Sequence, residues 1–227
     1  CGVITAALSQ PDSWDGDNTA QVEIPPPSPV KTLLITEARQ GYFETALRAH
    51  PLVVLDVAEP SAEVSQAYDL VISDVTSDYI VPNFSNLAAF GRLPSNTTQR
   101  VGPTNSSPSV VGWNEASPLM RYVVPTGIQI HQAKTLYAPE DASILLSGER
   151  GPLMAQWTES DQNILFSGFH IKDSDIALRV DFIHLIANIV EWSRPVVSTI
   201  NSQQGVLSKE QTLAIPLPEL TSDSAPK

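Results

Sequence analysis

The sequence predicts an α/β domain: a parallel sheet with helices on both faces, flanked by β segments at the two ends of the chain. Three observations predict it. Short continuous apolar runs, Leu33-Leu34-Ile35 and Leu52-Val53-Val54-Leu55, have the length of strands buried on both faces and lack the alternation of a half-exposed sheet. Helical patterns lie between such runs, and strand–helix alternation is the mark of βαβ units. Finally, Gly168 to Arg179 joins a core strand to a long apolar helix through an acidic turn.

Each element has its own reason. Val3 to Leu8 and Ala20 to Ile24 are strand-like runs separated by Gln10 to Asn18, which is dense in turn formers, so they predict a hairpin. Pro25-Pro26-Pro27-Ser28-Pro29 is stiff and lacks most backbone donors, which marks a boundary, with a new domain from about Val30. There follow a strand at Thr32 to Thr36, a helix from about Gly41 to His50, a strand at Leu52 to Val57, a helical or irregular piece at Ser61 to Ala67, and a strand at Leu70 to Val75. Leu87 to Phe90 supplies a further strand. Gly91 to Ser109, rich in Pro, Ser, Thr and Asn, reads as a long surface loop, and Ser117 to Tyr122 starts a short helix.

Strands at Ile128 to Tyr137, Ser143 to Leu146, Pro152 to Thr158 and Asn163 to Phe169 lead to the last helix, Val180 to Trp192. That helix is apolar except at Asp181, His184, Asn188 and Glu191. Asp173, Ser174 and Asp175 are placed to accept from its free N–H groups and to suit its dipole, and Arg194-Pro195 closes it. Val196 to Ile200 and Thr212 to Leu217 are β-like again, before a polar tail. The expected plan is therefore a hairpin over 1–27, an α/β domain over 30–194, and a β segment with a flexible tail over 195–227.

Composition excludes several functions. The chain has 227 residues, 42% of them apolar, enough for a sizeable core. A net charge of -12, with 13 basic residues and no basic run, argues against nucleic acid as a partner. No apolar run reaches the roughly 20 residues that a spanning helix needs, so any membrane attachment is expected through segments outside this chain. Cys1 is the single cysteine, which leaves no intrachain disulfide and no Cys-rich metal site. A Cys-Gly start fits a processed lipoprotein or an arbitrary chain start. Asn83, Asn96 and Asn105 open glycosylation triplets of the kind that Ser/Thr/Asn-rich loops hold by chance.

Taken in order, Asp15 to Ala20, Leu33-Leu34-Ile35-Thr36-Glu37, Tyr68 to Asp74, Ser117 to Arg121 and Ser167 to Leu178 resemble a class I glutamine amidotransferase-like domain. More narrowly, the set is similar to the version in bacterial membrane-anchored proteins with a von Willebrand factor A domain, the aerotolerance-operon type. The resemblance covers most of residues 1–195. It implies a flavodoxin-like sheet, β-sandwich pieces at both ends, a cell-envelope setting on the periplasmic or extracellular side, a protein partner and no cofactor.

A working amidotransferase also needs a cysteine nucleophile on a tight strand-to-helix turn, with a histidine and a carboxylate to activate it. The elbow is expected across Phe90-Gly91-Arg92-Leu93-Pro94-Ser95, which holds no cysteine and where Pro94 opposes a sharp turn into a helix. His170 follows the last strand, as the family's histidine does, but lacks a nucleophile to activate. The sequence therefore implies a non-catalytic interaction or scaffolding module.

The rival reading is a hydrolase or small-ligand-binding domain using Glu37, Asp74 and His170. Glu37 and Asp74 follow predicted strands, where open α/β sheets bind ligands; strand-end carboxylates are also common caps. Ser167, His170 and Asp173 crowd one strand and its turn, no Gly-x-Ser-x-Gly elbow occurs, and Ser95 is the one serine near the expected elbow. His50, His131 and His184 share no ligand spacing. Asp12, Asp15, Asp17 and Asn18 could converge on calcium, although the EF-hand order fails at Trp14 and Gly16 and a turn with Asx caps accounts for the same residues.

Overall fold

The computed structural model describes residues 2–7, 19–24, 26–38, 41–98, 100–194, 201–202 and 205–206. Two compact units emerge: one holds residues 27–194, the other the two ends, 1–26 and 195–227. In the second unit β1 (Gly2–Ala7) and β2 (Thr19–Ile24) pair antiparallel in unbroken register, Gly2 opposite Ile24 and Ala7 opposite Thr19.

Unit 27–194 is organised by one mixed sheet. Its strands are β3 (Val30–Thr36), β4 (Val53–Ala58), β5 (Tyr68–Asp74), β6 (Phe84–Phe90), β8 (Val110–Trp113), β10 (Ser143–Gly148), β11 (Gly151–Glu159) and β12 (Gln162–Ser167). They lie in the order β4-β3-β5-β6-β12-β11-β10-β8. The first five run parallel and the last three pair antiparallel. β7 (Val101–Ser106) and β9 (Gln132–Leu136) form a separate antiparallel pair, so the region expected to be a polar loop carries a strand.

Among the described residues two α-helices accompany the sheet, and both pack into the same core layer. In α1 (Tyr42–Ala49), Phe43 and Leu47 are one turn apart and buried, while Glu44 and Arg48 pair at 2.8 Å beside them. His50 is extended ahead of Pro51, which ends the helix. In α2 (Val180–Trp192), Phe182, Leu185, Ile186, Ile189 and Val190 face inward. Phe43 packs edge-on against Phe182 at 5.3 Å and tilted against Phe90 at 4.8 Å, tying both helices to the sheet. Each fully buried aromatic or leucine here contributes about 2–3 kcal/mol.

The opposite face corrects the expected fold. Leu33, Ile35, Val71, Leu87, Ala89, Ile164 and Phe166 form a second core layer, packed against Val75, Tyr79, Val81, Leu93 and Leu136. These come from loops and from β9, not from helices, so a flavodoxin-like sheet with helices on both faces is not what forms. A strand buried on both faces reads as a continuous apolar run whatever covers it, and the runs alone could not distinguish helix from loop. The crossover from β4 to β5, where a helix would sit, is irregular from Glu59 to Ala67. It contains Pro60, and Val64 is its one large apolar residue, which leaves no apolar stripe for a helix to bury.

The acidic turn also acts differently from the expected cap. α2 begins after Arg179, with no side-chain cap. Residues 171–173 and 176–178 form two 3-10 turns instead. Asp175 accepts from the Gln129 amide at 2.9 Å and Asp181 from the Val124 amide at 2.7 Å, so these carboxylates pin segment 123–131 to the start of α2. Among the described residues, no helix is long and apolar enough to cross a membrane, which says nothing of a β-barrel.

Candidate functional site

Asp74 ends β5, Gly91 follows β6, and His170 follows β12. These three strands are parallel neighbours, with Asp74 level with Phe90 and Phe90 level with Ser167. Their C-terminal ends therefore converge at one edge of the sheet, where open α/β sheets build sites. His170 and Asp74 come from strands two apart and must meet across the end of β6.

They meet because residue 91 is glycine. His170 Nδ1 lies 3.2 Å from Asp74 Oδ1, which also accepts from the Ile171 amide at 3.3 Å. The imidazole lies over Gly91 so closely that a Cβ there would sit 2.3 Å from both Cδ2 and Nε2. Gly91 also has φ of +74°, a conformation that side chains disfavour. In neutral His170, Nδ1–H donates to the carboxylate and Nε2 carries the lone pair.

Glu37, the third expected residue, has a different role. Its carboxylate accepts from the amides of Thr76 and Ser77 at 3.2 and 3.0 Å and from their hydroxyls at 2.8 and 2.7 Å. The hydroxyls, with help from the amides, hold its pKa down to about 2. Glu37 thus fixes the turn after β5, which in turn sets the position of Asp74.

Glu37, Asp74 and His170 line one crevice of about 230 Å³, with Leu34 and Phe43 as apolar walls and Lys172 at its side. The sequence-predicted trio is brought together at one crevice, with Glu37 held by the Thr76-Ser77 turn. Asp74 Oδ2 has no hydrogen bond to another described residue, while Oδ1 has two.

Beneath the turn, Ser73 and Tyr79 share a hydrogen bond of 2.5 Å, and Tyr79 donates to the Arg92 carbonyl at 3.0 Å, fixing the chain beyond Gly91. Burial pushes the Tyr79 phenol well above its ordinary range. Burial, with Arg92 nearby, lowers Lys134. Gly168 lets β9 approach, since a Cβ there would meet the Lys134 carbonyl oxygen at 2.5 Å.

Other candidates do not converge. Ser167 is fully buried and its hydroxyl donates to the Phe169 carbonyl. Ser95 lines a different cavity. His50 caps a helix end, where burial lowers its pKa, and His184 packs edge-on against Tyr122 at 5.8 Å. His131 donates its backbone amide to the Asp173 carbonyl, a link in the main chain that leaves its ring outside the crevice. The calcium candidates Asp12, Asp15, Asp17 and Asn18 lie outside the described residues; among the described ones, no group of three or more metal-ligating side chains converges. The sequence placed Gly91 in the expected elbow but gave no sign that it seats His170; its one signal was a glycine directly after the apolar run Leu87-Ala88-Ala89-Phe90.

A family model described as a domain of unknown function, DUF7408, matches residues 31–89, the part from β3 to β6. No curated protein matches the chain significantly. Among solved structures, Cytoplasmic Protein STM1381 of Salmonella typhimurium LT2 is similar at TM-score 0.57 and 13% identity, over 73% of this chain and 100% of that one. Cytoplasmic Protein STM3548 of Salmonella typhimurium gives 0.57 and 14%, over 72% and 98%. A ThuA-like protein of Bacteroides uniformis overlaps at 0.47 and 11% identity, over 75% and 94%, too low to carry an argument. At these identities the first two establish a shared fold and nothing about activity.

Proposed function

We propose that unit 27–194 is a ligand-binding module of amidotransferase-like descent that has no nucleophilic catalysis. The observation that carries this reading is the seat of His170 over Gly91. Gly91 lies within the stretch Phe90 to Ser95 where the resemblance expects the elbow; it has no side chain, and the imidazole takes the space one would need. The Asp74–His170 pair is retained as a recognition surface. Asp74 Oδ2 accepts from a ligand N–H or O–H, and the apolar part of the ligand rests on Tyr42, the exposed aromatic of the lining. A crevice of about 230 Å³ suits a molecule smaller than a typical drug.

The test is a titration of the isotope-labelled chain with small amino acids, monosaccharides and hydroxy acids, followed by amide NMR. A binder should shift Thr76 and Ile171 and lose affinity about tenfold in Asp74→Asn. If no compound in these classes shifts either amide at millimolar concentration, the crevice is not a binding site.

A second reading is the interaction module expected from the von Willebrand-associated resemblance, in a cell-envelope protein. One observation favours it. Leu178, Val180 and Ile183 at the start of α2, together with Tyr122 beside His184, stay exposed although large and apolar. Such a surface supports docking of a protein partner, and it is compatible with ligand binding in the crevice.

A further inference from the structure

A second cavity, of about 540 Å³, lies on the helix-free face between segments 59–65 and 78–82. It exists because the β4-to-β5 crossover has no helix. That crossover passes over β3, and its irregular Glu59–Ala67 segment borders a cleft with Ile35, itself buried, at its floor. Ile35, Val64 and Ile80 form its apolar surface, and Ile80 is 67% exposed, an unusual state for isoleucine. The volume falls within the range of small-molecule sites, roughly 300–1,000 Å³.

The charges lining it have one sign. Glu59, Glu63 and Asp78 line the cleft, and no Lys, Arg or His does so among the described residues. Arg92 pairs with Asp78, and Glu63 makes no ion pair with a described residue. We propose that this cleft binds an amphipathic organic cation, its apolar body on Val64 and Ile80 and its ammonium or guanidinium against Glu63, with Asp78 and its partner Arg92 beside it. An anion of the same shape meets net negative charge there, since Arg92 offsets Asp78 but not Glu63, in a chain already carrying a net charge of -12. This site is separate from the crevice of Asp74 and His170, and its occupancy does not depend on ligand binding there.

Three probes of one shape test it: phenethylamine, phenylethanol and phenylacetate, each titrated into the isotope-labelled full chain and followed by amide NMR. The amine should bind tightest, with shifts confined to 59–65 and 78–82. Glu63→Gln should weaken the amine about fivefold and leave phenylethanol within about twofold, while Ile80→Ser should weaken both. Both side chains are at the surface, and an unchanged melting temperature will show that each variant is folded. Phenylacetate binding as tightly as phenethylamine would overturn the proposal. So would shifts at Thr76 and Ile171 instead, or no shifts at millimolar amine.

Discussion

The ring of His170 lies where a side chain on residue 91 would project, 2.3 Å from the position of a Cβ on Gly91. One residue thereby excludes the other's usual chemistry. A side chain at position 91 and the observed histidine geometry cannot coexist, because the ring contact leaves no room for a Cβ, and φ of +74° disfavours one further.

Gly91→Ala should therefore destabilise the fold by about 2–4 kcal/mol, part from the positive φ and part from overpacking against the ring. His170→Ala in the same chain should restore the packing part, about 1–2 kcal/mol, and leave the conformational part. Chemical denaturation of the two single variants and the double variant measures both. Additive effects would show that the ring and the glycine do not share space.

Glu37 makes stability depend on acid. Its folded pKa, about 2, lies below its ordinary 4.5, so its contribution is fully present above the unfolded value and is lost as pH falls toward 2. The wild-type melting temperature should drop more steeply between pH 4.5 and 2 than that of Glu37→Gln. At neutral pH the variant should cost about 1 kcal/mol, kept small by solvent exposure. Parallel acid profiles would remove Glu37 as the anchor of the Thr76-Ser77 turn.

The acidic residues around α2 should prove structural at segment 123–131, not at the helix end. Asp181→Ala frees the Val124 amide and Asp175→Ala frees that of Gln129; each should cost about 1 kcal/mol. Hydrogen exchange should accelerate at Val124 and Gln129, with the interior of α2 unchanged. Fraying of α2 instead would restore a capping role.

How much was legible in the sequence follows from what each signal encodes. Leu33-Leu34-Ile35 and the long run of α2 announced themselves, since burial on two faces demands continuous apolar residues. What covers the second face was not legible, because Val75, Tyr79, Val81 and Leu93 sit in segments without periodicity and act through tertiary packing. β7 was hidden for a similar reason: Val101-Gly102-Pro103-Thr104 has turn composition but pairs with β9.

The candidate site was half legible. Asp74 and His170 stand at strand ends, a position the pattern of strands reveals. Their pairing depends on strand order, β5-β6-β12, which joins residues 96 positions apart and which no local motif encodes. Glu37 looked equivalent to Asp74 in sequence, yet the Thr76-Ser77 turn takes up its carboxylate. Gly91 carried its information through the absence of a side chain.

The central claim, binding without nucleophilic catalysis, is tested most directly by ammonia release from glutamine, measured on the wild-type chain and on His170→Ala at neutral pH. The account predicts no release above the uncatalysed rate in either protein. Turnover by the wild type that disappears in a folded His170→Ala variant would contradict it.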